Sequence, residues 1–357
     1  MKDLIFVIPH FGKSGPLNQF FYLIQEIHQE YKIKIICVLP EKDKSTLHKF
    51  SDFNIEVLPA HKRLFFINWI KILSCKFSRN KPIFHSFGLV PDFICFLLTK
   101  KKYWLSVSRN YPYEDYINKF GTFYGKIASI IHIFIQKRCQ YLITCSESLS
   151  QRYDAIGIKN TPIQNCVPHH DFLSDCDQEH ETFLFVGNII QRKRVDLACE
   201  LFNKIKSKNS KFNVIGEGAN FVNLKNKYKN AIFYGYHNAV DKFYKESNFF
   251  INLSESEGLP NAVLEALSYG CPCILSDIPS HRELESYVSS GIYIIKDTDL
   301  DSVEAITGLI EFKDSINEDS RKRIKKQFYI RFGANKLKEN FNNSYNQIMT
   351  QNNAYQN

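Results

Sequence analysis

Short strand-like runs alternate with helical patterns along this 357-residue chain. Runs rich in β-branched and aromatic residues recur between segments whose apolar residues lie three and four positions apart. Alternation of this kind is typical of parallel sheets, because parallel strands need a crossover connection and a helix usually supplies it. The pattern therefore predicts an α/β architecture of the doubly wound kind.

The chain is too long for one typical hydrophobic core, and its strands fall into two series. In the first half, strands are predicted at 4–8, 33–39, 55–58, 82–85, 103–107 and 141–145, with helices at 17–31, 64–78 and 121–138. In the second half, strands are predicted at 182–187, 212–215, 231–234, 249–253, 272–276 and 292–295, with helices near 195–208, 220–228, 239–246 and 261–269. Three helices close the chain, at 300–312, 315–328 and 334–349.

A polar, irregular run at 174–181 separates the two series. We therefore predict a first domain at 1–168, a second at 169–330 and a last helical segment at 331–350.

The positive charge of the chain is concentrated in its first half. Residues 1–165 hold 23 basic and 12 acidic residues, whereas the remainder holds 23 basic and 25 acidic residues. A basic half favours an anionic partner, either nucleic acid or an acidic membrane surface. No zinc-finger, helix-turn-helix or RNP-type signature accompanies the lysines, so the sequence does not favour nucleic acid. Ordinary solubilising lysines are the alternative.

Targeting and membrane-spanning signals are not evident in the sequence. Met1-Lys2-Asp3 leads directly into a strand-like run, without the pattern of a signal peptide. The apolar stretches at 93–98 and 127–135 fall short of the roughly 18 residues that a spanning helix needs. The ten cysteines are scattered without a Cys-x-x-Cys pair, which is typical of a reducing compartment. A cytoplasmic protein is the expectation.

One segment of the second half combines two carboxylates with a turn and a helix start. Glu257 follows the strand-like run 248–253, at the point where a strand gives way to a helix, and Glu265 falls about one turn into that helix. A helix N-terminus attracts phosphate, and carboxylates accept hydrogen bonds from sugar hydroxyls. This combination indicates a nucleotide-sugar site. Solvated charges at a helix end are the alternative.

The spacing of Glu257 and Glu265, with the block at 270–283 behind them, resembles the retaining glycosyltransferases of family 4. The resemblance spans about residues 3 to 345 and is densest from 183 to 285. It implies the GT-B fold, in which two Rossmann-like domains with parallel sheets face each other across a cleft. The first domain would bind the acceptor and the second the nucleotide-sugar. The resemblance also implies transfer with retention of anomeric configuration and without a metal or other cofactor.

The same resemblance assigns roles around the two glutamates. Glu257 would act at the reaction centre, holding the hydroxyls of the donor sugar and lining its anomeric carbon. Glu265 would accept hydrogen bonds from the ribose hydroxyls. The backbone of the intervening turn would bind the sugar and the diphosphate, through Gly258, Leu259, Pro260 and Asn261.

Three consecutive cations, Arg192, Lys193 and Arg194, follow a predicted strand. Fixed cations stabilise a leaving diphosphate most in the transition state, where its negative charge grows. By the resemblance, Lys193 falls on the diphosphate-binding lysine of the family. This chain has Asn188 where the family usually has an arginine. Arg192 or Arg194 would supply the second cation, unless one lysine and backbone N–H groups suffice. A basic helix face is the alternative to any such role.

Three residues of the first domain are further candidates. Gly15 lies in a glycine-containing loop after the first strand, where the family carries a loop that faces the donor. Arg109 and His85 each lie near the end of a predicted strand, where ligands of open α/β sheets bind. Many relatives have a histidine at about the position of Arg109. We expect Arg109 to bind an acidic group of the acceptor, and His85 either to contact the acceptor or to be a packed strand-end histidine.

The expected partners are a nucleotide-sugar, with UDP or GDP as its nucleotide, and a glycan or polyprenyl-diphosphate-linked acceptor. Polysaccharide assembly, in O-antigen, capsule or exopolysaccharide, is the usual setting of such enzymes. Two other functions remain open at this point. One is a sugar-nucleotide epimerase of the same fold, and the other is a non-catalytic partner protein that keeps the fold.

The segment 61–81 combines an apolar stripe with flanking cations. Phe66, Trp69, Ile70, Leu73 and Phe77 recur at three- and four-residue steps, and six lysines and arginines flank them. This pattern predicts reversible docking on the anionic inner-membrane surface. The alternative is that the stripe is the core-facing side of its helix.

Overall fold

The computed structural model describes residues 1–12, 14–40, 47–61, 63–78, 81–173 and 180–354, and the chain divides into two compact units. Unit 1 combines Met1–Cys166 with Ala334–Asn357, and unit 2 is Val167–Gly333. The divisions expected after 168 and 330 therefore fall after 166 and 333. Most of the polar run at 174–181 lies outside the described residues.

The sheet of unit 1 has seven strands, and all of its pairings are parallel. The strands are β1 (Lys2–Ile8), β2 (Tyr31–Cys37), β3 (Glu56–Leu58), β4 (Ile83–Phe87), β5 (Trp104–Ser108), β6 (Tyr141–Thr144) and β7 (Thr161–Pro162). Their spatial order is β3-β2-β1-β4-β5-β6-β7. The chain order thus reverses beside β1, where Phe6 pairs with Ile35 of β2 and with His85 of β4.

The helices of unit 1 are α1 (Gly15–Ile27), α2 (Phe66–Lys76), α3 (Leu89–Leu98), α4 (Pro112–Phe120), α5 (Thr122–Gln136), α6 (Glu147–Asp154) and the last helix of the chain, α14 (Ala334–Ala354). Alternate residues of β1 face opposite sides of the sheet. On one side, Leu4, Phe6 and Ile8 share a core with α1 and α14. On the other side, Ile5 and Val7 share a core with α2, α3 and α5.

The helix predicted at 121–138 is present as α5, and a tight hairpin joins it to α4, which the sequence analysis did not predict. Gly121 has φ 79°, a left-handed conformation that favours glycine, and it separates α4 from α5. A Cβ atom on Gly125 would lie only 2.5 Å from the Cα atom of Ile117 and from the carbonyl oxygen of Tyr116. Glycine at 125 therefore lets the two helices pack backbone against backbone.

Unit 2 has a six-stranded parallel sheet in the order β10-β9-β8-β11-β12-β13. The strands are β8 (Thr182–Val186), β9 (Lys211–Ile215), β10 (Ala231–Gly235), β11 (Phe249–Asn252), β12 (Cys273–Ser276) and β13 (Ile292–Ile295). Between β8 and β11 the direction of winding reverses. Ligands of open α/β sheets bind at the carboxyl ends of the strands at such a reversal.

The helices of unit 2 are α7 (Val195–Ile205), α8 (Phe221–Lys227), α9 (Asp241–Lys245), α10 (Asn261–Ser268), α11 (Pro279–Tyr287), α12 (Val303–Ser315) and α13 (Glu318–Phe332). Across the chain, the sequence prediction lacked α3, α4, α6 and α11. These helices have only 8 to 10 residues each, too few turns for an apolar period to stand out. None of the described helices is both long and apolar enough to span a membrane.

We predict that Gly125→Val destabilises unit 1 by about 1–3 kcal/mol, because the added atoms would force α4 and α5 apart. The free energy of unfolding in urea measures this effect. Lys126→Ala, at the adjacent exposed position, should change it by less than about 0.5 kcal/mol. An unchanged stability of Gly125→Val would contradict the close approach of the two helices.

Candidate active site

A short basic turn lies at the carboxyl end of β8. One turn of 3-10 helix, Gln191–Lys193, precedes α7, and the backbone N–H of Glu255 donates to the carbonyl of Arg192 at 2.9 Å. This bond ties the basic turn to the segment that follows β11. The neighbouring positions of β8 and β11 in the sheet thus bring together residues that are about sixty positions apart in sequence.

The carboxylate of Glu257 is paired with two cations of this turn. Lys193 Nζ contacts Glu257 Oε1, and Arg192 Nη1 lies 3.2 Å from Oε2. Arg192 also donates to the carbonyl of Ser256. The Glu257 side chain is 7% exposed, and the two cationic side chains are 15% and 16% exposed. The cluster is therefore shielded from bulk solvent. Ion pairs in such a shielded place are weakened less by salt screening than exposed pairs are.

The cations decide the charge state of Glu257. Burial alone would raise the pKa of this carboxyl, but the charges of Lys193 and Arg192, with hydrogen bonds from Lys193 and Ser254, lower it to about 2. Glu257 is therefore a carboxylate at neutral pH. Two cations facing one carboxylate leave this cluster of three side chains with a net positive charge.

Arg194, the third cation of the run, points elsewhere. Its Nε donates to the carbonyl of Leu253 at 2.5 Å, and its Nη1 lies 2.5 Å from Oδ2 of Asp297. Its backbone is left-handed, with φ 45°, which is uncommon for a residue other than glycine. Of the two arginines considered for the second cation, Arg192 is the one beside Glu257. Arg194 instead forms part of the wall of an adjoining cavity of about 430 Å³.

The second carboxylate, Glu265, lies on α10 and is paired with a tyrosine. The hydroxyl of Tyr244 donates to Glu265 Oε2 at 2.8 Å. Burial raises the pKa of Glu265 to about 7, although the hydrogen bond from Tyr244 acts to lower it. The helix itself begins at Asn261, so Pro260 is the capping residue before the helix rather than part of its first turn.

Three buried side chains around the two glutamates were not predicted as site residues. Tyr244 lies in α9, the helix predicted near 239–246, but the pattern of that helix does not indicate that Tyr244 contacts Glu265. His281 donates from Nδ1 to the carbonyl of Ser276 at 2.9 Å, and burial lowers its pKa to about 4. Asn252 accepts from the hydroxyl of Ser254 at 2.5 Å. In the described part of the chain, Nε2 of His281 and Nδ2 of Asn252 are buried without a hydrogen-bond partner.

The loops beside the basic turn depend on close backbone contact. The backbone N–H of Gly187 donates to the carbonyl of Ile215 at 3.0 Å, and that of Ile189 donates to the carbonyl of Glu217 at 2.9 Å. A Cβ atom on Gly218 would lie 2.3 Å from the carbonyl oxygen of Ile189. The exposed Asn188, which stands where the family usually has an arginine, lies in this packed loop.

Among the candidate residues of unit 1, Arg109 is hydrogen-bonded to a neutral side chain. Arg109 Nη1 donates to Asn165 Oδ1 at 2.5 Å, and burial lowers the pKa of its guanidinium. Its Nε is buried without a partner among the described residues. Gly15 is the first residue of α1.

Contact between His85 and an acceptor does not fit the structure. His85 is 2% exposed, and its Nδ1 is 2.8 Å from the hydroxyl of Tyr345 on α14. Its ring is stacked on Phe341. An acceptor could reach this histidine only if α14 moved away, so the packed strand-end reading is the one that applies.

Metal-ligating side chains are not clustered in the described residues: no group of three or more His, Cys, Asp or Glu side chains is arranged to hold an ion.

Two parallel-sheet units, with a cationic turn and a glutamate at the reversal of the second sheet, define a protein of the GT-B class. Residues 171–330 match the model of the family described as glycosyl transferases group 1. The match is limited to this region, and there it confirms, at the level of group 1, the resemblance to glycosyltransferases expected from Glu257 and Glu265.

Comparison with curated proteins identifies relatives in Escherichia coli. The chain is 20% identical to the O-antigen biosynthesis glycosyltransferase WclY over 97% of its own length and 98% of the relative's. It is 29% identical to a UDP-Gal:alpha-D-GlcNAc-diphosphoundecaprenol alpha-1,3-galactosyltransferase over 44% of each chain.

Among solved structures, the lipopolysaccharide outer core galactosyltransferase WaaB superposes with a TM-score of 0.68 and 18% identity, over 96% of this chain and 98% of the other. This likeness confirms the predicted α/β fold of two parallel-sheet domains.

We predict that the carboxyl group of Glu265 titrates near pH 7 and that Tyr244→Phe raises its pKa further, because the variant lacks the hydrogen bond that favours the charged form. Carbon-13 NMR of side-chain-labelled glutamate measures the midpoint, and Glu265→Gln assigns the signal. Tyr269→Phe is the matched control, since the Tyr269 hydroxyl donates to Asp241 instead. A wild-type midpoint at the ordinary value of 4.5 would contradict the burial of this group.

Proposed function

We propose that this protein is a retaining glycosyltransferase of family 4. It would move a sugar from a UDP- or GDP-linked donor to a glycan or a polyprenyl-diphosphate-linked oligosaccharide, in the assembly of O-antigen, capsule or exopolysaccharide. The observation that carries the proposal is the ionised Glu257, held by Lys193 and Arg192 at the start of α10. This cluster lies inside the region that matches the group 1 glycosyltransferases.

The cations of the basic turn would bind and stabilise the diphosphate. As the bond between the anomeric carbon and the diphosphate oxygen breaks, negative charge grows on the leaving group. Cations already fixed in a shielded site stabilise that charge without reorganisation. Lys193 would supply the main charge and Arg192 the second, each exchanging part of its contact with Glu257 for contact with phosphate.

Glu257 would then face the sugar. Because its pKa is about 2, it presents two acceptor oxygens to sugar hydroxyls at neutral pH. The turn of Gly258, Leu259, Pro260 and Asn261 leads into α10, whose N-terminal dipole favours negative charge nearby. We propose reaction on the front face of the donor, in which the departing phosphate oxygen takes the proton of the acceptor hydroxyl.

Glu265 would bind the ribose. A carboxylate that accepts two hydroxyl hydrogen bonds is stabilised in its charged form. Its pKa of about 7 in the unliganded protein means that this acceptor is only partly ionised at neutral pH before the nucleotide binds. Nucleotide binding should therefore strengthen as the pH rises through 7.

The acceptor is assigned to unit 1. Arg109 is a partly buried cation that donates to the neutral amide of Asn165, and it would suit a phosphate or a sugar carboxylate. Gly15, at the start of α1, would face the donor as the corresponding loop does in the family. Cytoplasmic location and transfer without a metal are part of the proposal. The names of the relatives make UDP-galactose the first donor to test and a diphosphate-linked polyprenol the first acceptor.

The test is transfer of labelled sugar from a panel of UDP- and GDP-sugars to a synthetic polyprenyl-diphosphate-GlcNAc, with and without EDTA. Lys193→Ala and Glu257→Gln should each lower turnover by roughly 10²–10³, the usual loss when one fixed charge is removed from a developing anion. Circular dichroism checks the fold of each variant. The proton NMR coupling constant of the new anomeric centre reports retention.

Lys204→Ala is the matched control, because this lysine of α7 pairs with Asp301, away from Glu257. It should keep wild-type turnover. Near-wild-type turnover in Lys193→Ala, or an epimerised nucleotide-sugar formed from donor alone, would overturn the proposed function.

We also predict that Glu265→Gln raises KM for the donor more than it lowers kcat. An interaction with ribose is made equally in the ground state and the transition state, so its loss appears mainly in KM. The variant should also lose the rise in donor affinity between pH 6 and pH 8, which follows from the pKa of about 7. If only kcat falls, Glu265 belongs to the reaction centre instead.

A further inference from the structure

Helix α5 has the opposite arrangement from an ordinary surface helix, because most of its buried residues are small or polar and most of its large apolar residues face solvent. The buried side of the helix is formed mainly by Gly125, Ser129, His132 and Gln136. The exposed side carries Phe123 and Tyr124, each 70% exposed, and four further large apolar residues that are 42% to 63% exposed, namely Ile127, Ile130, Ile131 and Phe134. A helix of a soluble monomer normally has the opposite arrangement.

A buried polar network fixes α5 in this orientation. His132 Nε2 is 2.7 Å from Oδ2 of Asp92 on α3, and its Nδ1 is 2.7 Å from the hydroxyl of Tyr116 on α4. Asp92 is fully buried and also accepts from the hydroxyls of Ser86 and Ser106. Rotating the apolar side of α5 inward would leave the Asp92 carboxylate buried without His132, which is strongly unfavourable. The apolar side therefore has to face outward.

Helices α2 and α3 lie in the same layer and also expose apolar residues. On α2, Asn68 is buried and donates to the carbonyl of Cys37 at 2.8 Å, whereas Phe66, Ile67, Ile70 and Leu73 are 37% to 61% exposed. On α3, Phe93 and Leu97 are 41% and 54% exposed. The stripe expected at 61–81 thus faces outward except for Trp69, whose indole N–H donates to Val38. Lys62 and Arg79 lie outside the described residues.

Together these twelve exposed side chains form an apolar face on one layer of unit 1, which we call the α2-α3-α5 face. The exposed charges on its three helices have one sign. Lys71 and Lys126 are exposed on α2 and α5, Lys100 and Lys101 follow α3, and Lys137 follows α5. The only carboxyl residue within the three helices is the buried Asp92.

We propose that the α2-α3-α5 face docks on an anionic lipid bilayer, with the apolar side chains of α5 and α2 inserted at the interface. Apolar side chains gain by leaving water for the acyl boundary, and lysines around them gain from acidic headgroups. The inserted groups and the rim of cations occupy the same side of the unit, as this mode of binding requires. The proposal is independent of the transfer reaction, because it concerns adsorption alone.

A second copy of the chain fits this face less well. In a two-fold dimer the same patch meets itself. The lysines of one copy would then face those of the other, without a carboxylate on the three helices to separate them. A surface of acidic headgroups supplies the missing negative charge.

The experiment is co-sedimentation of the full-length protein with phosphatidylcholine vesicles, with and without phosphatidylglycerol, at low and high salt. We expect binding to require phosphatidylglycerol and to weaken at high salt. Phe123→Glu/Ile130→Glu should weaken it by about tenfold or more, because two inserted groups become anions. Lys71→Glu/Lys126→Glu should weaken it at low salt. In Phe123→Trp, the emission of the new tryptophan should shift to the blue when vesicles are added.

Val303→Glu/Ile330→Glu is the matched control, because these two residues of unit 2 are 75% and 74% exposed. It should bind as the wild type does. Binding that depends neither on the lipid charge nor on the substitutions on α5 would overturn the proposal. A wild-type protein that does not bind the vesicles would also overturn it. This holds whether the protein is a monomer or a dimer that Phe123→Glu/Ile130→Glu dissociates. None of these assays contains a donor, so their outcome is separate from that of the transfer assay.

Discussion

Parallel strand pairing is the constraint on which the proposed chemistry depends. It puts the carboxyl ends of all strands of a sheet at one edge, and the reversal of winding places β8 beside β11. Residues 64 positions apart in the chain are thereby brought into contact as the pair Lys193 and Glu257. The backbone bond from Glu255 to Arg192 then holds the two loops together. The ion pairs are a consequence of topology and not of local sequence.

The sequence predicts the strands and helices of this arrangement better than the contacts between their side chains. Apolar runs reveal the main strands of both sheets, and the turn after Glu257 reveals a helix start. The direction of the Arg194 side chain is not predictable in this way, because it follows from a left-handed backbone and from a carbonyl and a carboxylate that lie just after β11 and β13. Tyr244, the partner of Glu265, lies in a helix that the sequence predicts near 239–246, but the contact between the two side chains joins separate helices and leaves no pattern in the sequence.

Helix α5 shows a second limit of periodicity. The spacing of its isoleucines and phenylalanines indicates an apolar stripe, and such a stripe is ordinarily assigned to the core. Which side is buried was decided instead by three polar residues on different helices, Asp92, Tyr116 and His132, which satisfy one another only inside the protein. A single sequence does not show that those residues meet.

The last helix adds a consequence for the order of biosynthesis. Leu337, Phe341, Tyr345 and Ile348 of α14 belong to the core that covers one side of the first sheet, and Tyr345 reaches His85. On the ribosome, the strands of unit 1 emerge first, yet this side of their sheet stays incompletely covered until α14 is translated. Unit 2, made of residues 167–333, can complete its own core earlier. The N-terminal unit is thus the later of the two to mature, so a ribosome that stalls before residue 334 would leave a chain whose first sheet is open to aggregation.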